Sequence, residues 1–163
     1  LGISSVYLNL SLLNRFQSNL DKKDSLNFIL AELYSETDNY LRENERSNTS
    51  ALIMAGGFIE GLHMACDVAQ NTKNEKIIKR IYEMRLSVDN LISMLAEYEQ
   101  EPGFAELTSK VKELQLLYSA VKPADIAAQN QEGKTVFLDD KQLKAISEKV
   151  KMIRSEMTKP GLH

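Results

Sequence analysis

"ALIMAGGFIEGLHMACDVAQ", residues 51–70, is the most apolar run in the chain, yet it holds three glycines, a glutamate, a histidine and an aspartate. On a helix, Gly57, Gly61, Ala65 and Ala69 fall four apart and make one row of minimal side chains. An interior glycine costs about 1 kcal/mol relative to alanine. The row therefore predicts a place where a neighbouring helix comes closer than the usual separation of about 8–10 Å. Leu52, Ile53, Phe58, Ile59, Leu62 and Met64 surround it, so this third helix reads as the central, most enclosed helix of a bundle. GxxxG spacing also occurs in membrane helix pairs, but Glu60, His63 and Asp67 interrupt the run, and no stretch of 18 uncharged apolar residues exists.

The same helical period continues on both sides. Val6, Leu10, Leu13, Phe16 and Leu20 form a stripe over 4–20; Leu26, Leu30, Leu33, Thr37 and Tyr40 form another over 24–44. "ENERSNTS", 43–50, reads as a short connection, with Asn48 or Thr49 capping the third helix. After the break "NTKN", 71–74, Ile77, Ile81, Met84, Val88, Leu91, Leu95 and Tyr98 alternate steps of four and three. "EPG", 101–103, stops that helix, and Pro102 suits the first turn of the next. Phe104, Leu107, Val111, Leu114, Tyr118 and Val121 repeat the pattern, which predicts an antiparallel pair of helices crossing at roughly 20°.

Beyond Pro123, "KTVFL", 134–138, has strand-type residues, and "NQEG" before it offers a turn back onto Ile126 and Ala127. Asp139 and Gln142 then form a capping box ahead of a last helix carrying Leu143, Ile146, Val150, Ile153 and Met157. The fold expected is all-α: one domain over 1–163, a compact bundle of about six helices with mostly antiparallel neighbours. A short extended segment or hairpin precedes the last helix.

Composition narrows function by exclusion. Net charge is −3, the wrong sign for a phosphate-binding surface, so no nucleic-acid partner is expected. The lone Cys66 has no partner for an internal disulfide and reads as a small buried filler. Glu60 and His63 are three apart on one helix face, and Asp67 extends it by a turn, which makes these three the candidate ligand-binding residues. A Glu-x-x-His pair is one part of a carboxylate-bridged di-iron site, but the other histidine is His163, in the tail. No metal or cofactor is therefore expected, and no catalytic residues are assigned. "KNEKIIKR", 73–80, gathers cations at a helix start, where the dipole disfavours them, and is a candidate docking patch.

The segments "LLNRFQSNLDKKDSLNFILAELYSETDNYLRENERSNTSALIMAGGFIEGLHMA" (12–65), "MRLSVDNLISMLAEYE" (84–99) and "FLDDKQLKAISEKVKMIRSEM" (137–157) carry a resemblance. The chain resembles a family of uncharacterised exported helical proteins, described as lipoproteins, from Bacteroidetes-type bacteria. The resemblance implies an all-helical fold, export to the periplasm or a membrane-anchored place in the cell envelope, and no established activity. It further implies that this chain is the carboxy-terminal portion of a longer one with an upstream lipid anchor, and an aromatic residue where His63 stands here. The first expectation for function is thus a non-catalytic binding or structural module of the envelope, contacting a protein or small ligand, with oligomers allowed. The alternatives are a metal-dependent or hydrolytic enzyme centred on Glu60, His63 and Asp67, and a cytosolic helical adaptor. A missing upstream segment would leave an exposed apolar patch where it had packed.

Overall fold

The computed structural model of the chain describes residues 10–121 and 137–159, with side chains from Asn14 onward. The protein is all-α: seven helices and no strand occur among the described residues. They are α1 (Leu10–Gln17), α2 (Lys23–Glu43), α3 (Ser47–Thr72), α4 (Glu75–Glu83), α5 (Arg85–Ala96), α6 (Phe104–Ser119) and α7 (Asp140–Met157). Most of the extended segment expected before the last helix lies outside the described residues. The chain forms two compact units, Leu1–Leu52 and Ile53–His163, and the boundary falls inside α3.

In the second unit the heptad-like stripes become core. Val88, Leu91 and Leu95 of α5, Phe104, Leu107, Val111, Leu114 and Tyr118 of α6, and Leu143, Ile146, Val150 and Ile153 of α7 are all buried. The α5–α6 contact is the most extensive and α6–α7 the next. Lys110 of α6 pairs with Glu156 of α7 and Glu113 with Lys149, so rising numbers on one helix meet falling numbers on the other. Tyr98 and Phe104 close the α5–α6 connection with ring centroids 5.5 Å apart.

The single helix expected over 77–98 is broken at Met84. There the backbone N–H of Met84 donates to the carbonyls of both Arg80 and Ile81. The Tyr118 hydroxyl donates to the Ile81 carbonyl at 3.0 Å, giving that buried oxygen a second partner at the break. Arg85, just past the break, stacks its guanidinium 4.2 Å from the Tyr82 ring centroid.

Local signals at the termini explain where helices begin and end. Asp139 and Gln142 make the capping box expected of them. Asn74 caps α4 by accepting from Lys76 and Ile77. The α6 start departs from the sequence reading: Gly103, at φ 82°, is the N-cap, and Pro102 lies outside the helix. Only glycine takes that left-handed geometry at low cost. The α3 start also differs, since the helix begins at Ser47, ahead of the Asn48 or Thr49 cap.

In the first unit, α2 ends in a Schellman turn. The Arg46 N–H donates to the Leu41 carbonyl at 2.7 Å, and the Glu45 N–H to Arg42 at 3.1 Å. Glu45 sits there at φ 58°. Arg15 of α1 reaches Glu32 of α2 at 2.8 Å. Ser50, buried, donates to Asp38 at 2.5 Å, while Arg42 holds the other oxygen of Asp38 at 2.7 Å. The Ser50 hydroxyl foremost keeps the Asp38 carboxyl below its usual range.

Candidate functional site

Helical spacing does bring Glu60, His63 and Asp67 to one side of α3, and that side meets α7. Glu60 takes a forked interaction from Arg154, with Nε at 2.5 Å from one carboxylate oxygen and Nη2 at 3.2 Å from the other. Asp67 lies 3.1 Å from Lys151 Nζ and 3.5 Å from Nε2 of His63. Lys73, just past α3, is 2.5 Å from Asp140. These pairs form a ladder of charges along the α3–α7 seam, half-exposed at Glu60 and Asp67 and largely exposed at Asp140. Its physical result is alignment: opposite charges at matched levels fix the register of the two helices.

The ladder also decides what these groups can do chemically. Hydrogen bonds from Arg154 hold the Glu60 carboxyl below its ordinary range, with the guanidinium charge and His63 adding to the effect, and the same contact raises Arg154. A carboxylate held in that way is a weaker base than a free one, the opposite of what general-base work at neutral pH requires. Neighbouring Cys66 is fully buried, and burial pushes its thiol up to about 12, with Asp67 adding to the rise. It stays protonated and unreactive at neutral pH. Among the described residues no group of three or more His, Cys, Asp or Glu is placed to hold a metal ion. The expected ligand trio is thus assembled, with Glu60 and Asp67 engaged by α7, whereas His63 meets only Asp67 of its own helix and keeps a buried Nδ1 without a hydrogen-bond partner. Sequence reasoning missed Lys151 and Arg154. Their signal was three-residue spacing on the last helix, which puts two cations on one face.

A shallow cavity of about 410 Å³ lies where the end of α3 meets the start of α7, lined by Gln70, Lys73, Asp140, Lys144, Ser147 and Lys151 among others. Each of its cations has a carboxylate at hand: Lys73 on Asp140, Lys151 on Asp67, and Lys144 at 3.9 Å from Glu148. Of the "KNEKIIKR" cations, Lys73 meets Asp140, and Lys79 and Arg80 both meet Glu83.

The opposite side of α3 overturns the close-packing expectation. Gly57 and Gly61 are exposed, Ala65 is half-buried, and Ala69 alone of that row is fully buried. A Cβ built on Gly61 would have no neighbour within 4 Å. The reason is geometric. Residues four apart drift by about 40° per step around a helix of 3.6 residues per turn, so the row winds from solvent into the core. The buried line is Ala55, Ile59, Leu62, Cys66 and Ala69. Nor is α3 the enclosed helix: its most apolar 18-residue window is only 28% buried, although α3 is long and apolar enough to cross a membrane by length and composition. Met54 (51%), Met64 (61%) and Val68 (45%) stand exposed beside the glycines. Between Ile53 and Thr72 the acidic and histidine residues of α3 (Glu60, His63, Asp67) are on the α7 side, leaving the outer face uncharged.

No family model, curated protein or solved structure matches the chain.

Proposed function

We infer that this chain is a non-catalytic binding module of the bacterial cell envelope, which docks a protein on the outer face of α3. The observation that carries the docking is that face itself, some 20 residues long, without charge and holding two half-exposed methionines. A solvated helix face ordinarily bears charged residues, and a contiguous apolar one is a contact surface in search of cover. Envelope location rests on the sequence resemblance alone.

Two measurements test the reading. A photo-cross-linking residue at Met64 in the native host is expected to capture a discrete protein species, while the same residue at Lys144 on α7 is not. Equal labelling at both positions, or none at Met64, would remove the docking reading. Fractionation of cells making the complete protein is expected to place it in the periplasmic or membrane fraction. Recovery in the cytosol would favour a cytosolic adaptor instead.

A further inference from the structure

The hydroxyls of Thr72, Ser93, Ser119 and Thr158 each donate to the carbonyl four residues back along the chain. Ser147 of α7 departs from that habit. It is only 1% exposed, its Oγ has no hydrogen-bond partner, and it lines the cavity between the end of α3 and the start of α7. Burying a hydroxyl unpaired is costly, so its orientation asks for a partner. Thr108 also keeps an unpaired buried hydroxyl, but it is not among the residues that line this cavity. Around Ser147 stand Lys144 and Lys151, three back and four on along the same face of α7, and Lys73 reaches in from the end of α3. Set against Asp140 and Glu148, these three lysines give the lining a positive balance in a chain whose net charge is −3.

We propose that this cavity binds a small oxyanion, a phosphate group above all, with the Ser147 hydroxyl donating to it and Lys73, Lys144 and Lys151 supplying the charge. The site is separate from the outer face of α3 and does not depend on what docks there. Hydroxyl and ammonium groups are all donors here, and a phosphate offers several charged acceptor oxygens at once. A cation would meet three lysines, and a neutral ligand would leave their charge unmatched. The present partners of the lysines are easily exchanged. Lys73–Asp140 and Lys144–Glu148 are mostly exposed pairs, and Lys151–Asp67 is half-exposed. Such pairs contribute little in water, and a flexible four-carbon stem lets each ammonium swing from carboxylate to ligand. The Ser147 Oγ is covered by its neighbours, so a turn about χ1 toward the cavity is what presents it. That turn breaks no hydrogen bond, because the hydroxyl makes none. The volume of about 410 Å³ exceeds what phosphate alone needs. An ester of phosphate therefore has room for its organic part beside Leu143 and Gln70.

Titration of the isotope-labelled chain with inorganic phosphate, followed by amide NMR at neutral pH and an ionic strength held constant with chloride, tests the site. Saturable shifts are expected at Lys73, Lys144, Ser147 and Lys151, with a dissociation constant of about 1 mM. Ser147→Ala is expected to weaken binding roughly five- to tenfold while keeping the same far-ultraviolet circular dichroism, because it removes the donor and leaves no polar group unpaired. Glu148→Gln is expected to tighten binding roughly two- to fivefold, since it removes a carboxylate from the lining and releases Lys144. A gain of that kind does not arise from a damaged fold. Shifts that never saturate and spread over surface lysines at large, a Ser147→Ala chain that binds like the parent, or a Glu148→Gln chain that binds no more tightly would each overturn the proposal. Phosphatidylglycerol vesicles in place of phosphate separate the sources of the anion. Pelleting of the parent but not of Ser147→Ala would assign a lipid headgroup, and no pelleting beside intact phosphate binding would assign a free ion or soluble ester.

Discussion

The two compact units are built from the same kind of amphipathic helix, yet they bury it very differently. In the second, Val88, Leu95, Val111, Leu114 and Val150 are completely out of water, and most positions of the heptad-like stripes are buried. In the first, only Ile29, Leu41 and Ala51 are buried apolar residues among those described, with Ser50 beside them. There Leu20, Phe28, Leu30 and Tyr34 remain exposed, Phe28 at 67%. A regular apolar period shows that a helix has a face to bury. It does not say that the face finds a partner. The polar cluster of the first unit, Ser50 with Asp38 and Arg42, does by hydrogen bonding part of what packing does in the second.

Truncating matched residues breaks this comparison most directly. Leu114→Ala in α6 is expected to lower unfolding free energy by about 3–4 kcal/mol, because it removes buried methyl groups and leaves a cavity. Phe28→Ala in α2 is expected to change it by less than about 0.5 kcal/mol, as at other exposed positions. Urea denaturation of both variants checks the pair. A large loss at Phe28 would mean that the first unit is packed much like the second.

Smaller in effect is Tyr118→Phe. It leaves the buried Ile81 carbonyl without its hydroxyl donor at the α4–α5 break, for an expected loss of about 1–2 kcal/mol. The phenol is deeply buried and its pKa is pushed up accordingly, so the loss should be the same at pH 6 and pH 9.

The break itself shows where the sequence was and was not legible. Nothing in "YEMRLS" interrupts the four-three spacing, and neither glycine nor proline marks it. The interruption involves a distant hydroxyl, Tyr118, that no local pattern reveals. Stops carrying their own chemistry, the Asp139–Gln142 box and Asn74, were readable because the cap and its target lie within three residues of each other. The candidate trio fell between these cases. Helical spacing put Glu60, His63 and Asp67 on one side of α3, but Arg154 and Lys151, which engage Glu60 and Asp67, are some 90 positions away on α7. The glycine row misled because a four-residue repeat looks like a face, whereas over three steps it winds a third of the way round the helix.

Glu45→Gly works in the opposite direction. Glu45 holds a left-handed backbone at φ 58° in the Schellman turn after α2, a conformation glycine adopts without strain. A gain of about 0.5–1 kcal/mol is expected in denaturation midpoint analysis, offset in part by the greater freedom of glycine in the unfolded chain.

Each unit has a carboxylate held below its ordinary value by a hydrogen bond, Asp38 in the first and Glu60, like Glu106, in the second. A lowered folded value means that the unfolded chain binds protons first as pH falls. The contribution is therefore complete above the ordinary value and disappears as pH drops through the folded one. For Glu60 the ordinary value is 4.5. The stability difference between the parent and Glu60→Gln should stay constant from pH 7 to pH 5.5 or so and shrink below about 4.5. A difference unchanged down to pH 3 would show that Arg154 contributes nothing to folding through Glu60.

The smallest expected effect is the most informative one. Had the glycine row marked a crowded crossing within the chain, Gly61→Leu would cost several kcal/mol through overpacking. The structure gives the new side chain open space, and leucine is a better helix former than glycine by somewhat under 1 kcal/mol. Stability of the dilute chain should thus hold steady or rise slightly, in contrast to Leu114→Ala at a fully buried position of α6. A dilute Gly61→Leu chain that unfolds several kcal/mol more easily would restore the close internal crossing and, with it, remove the reason for a partner at that face.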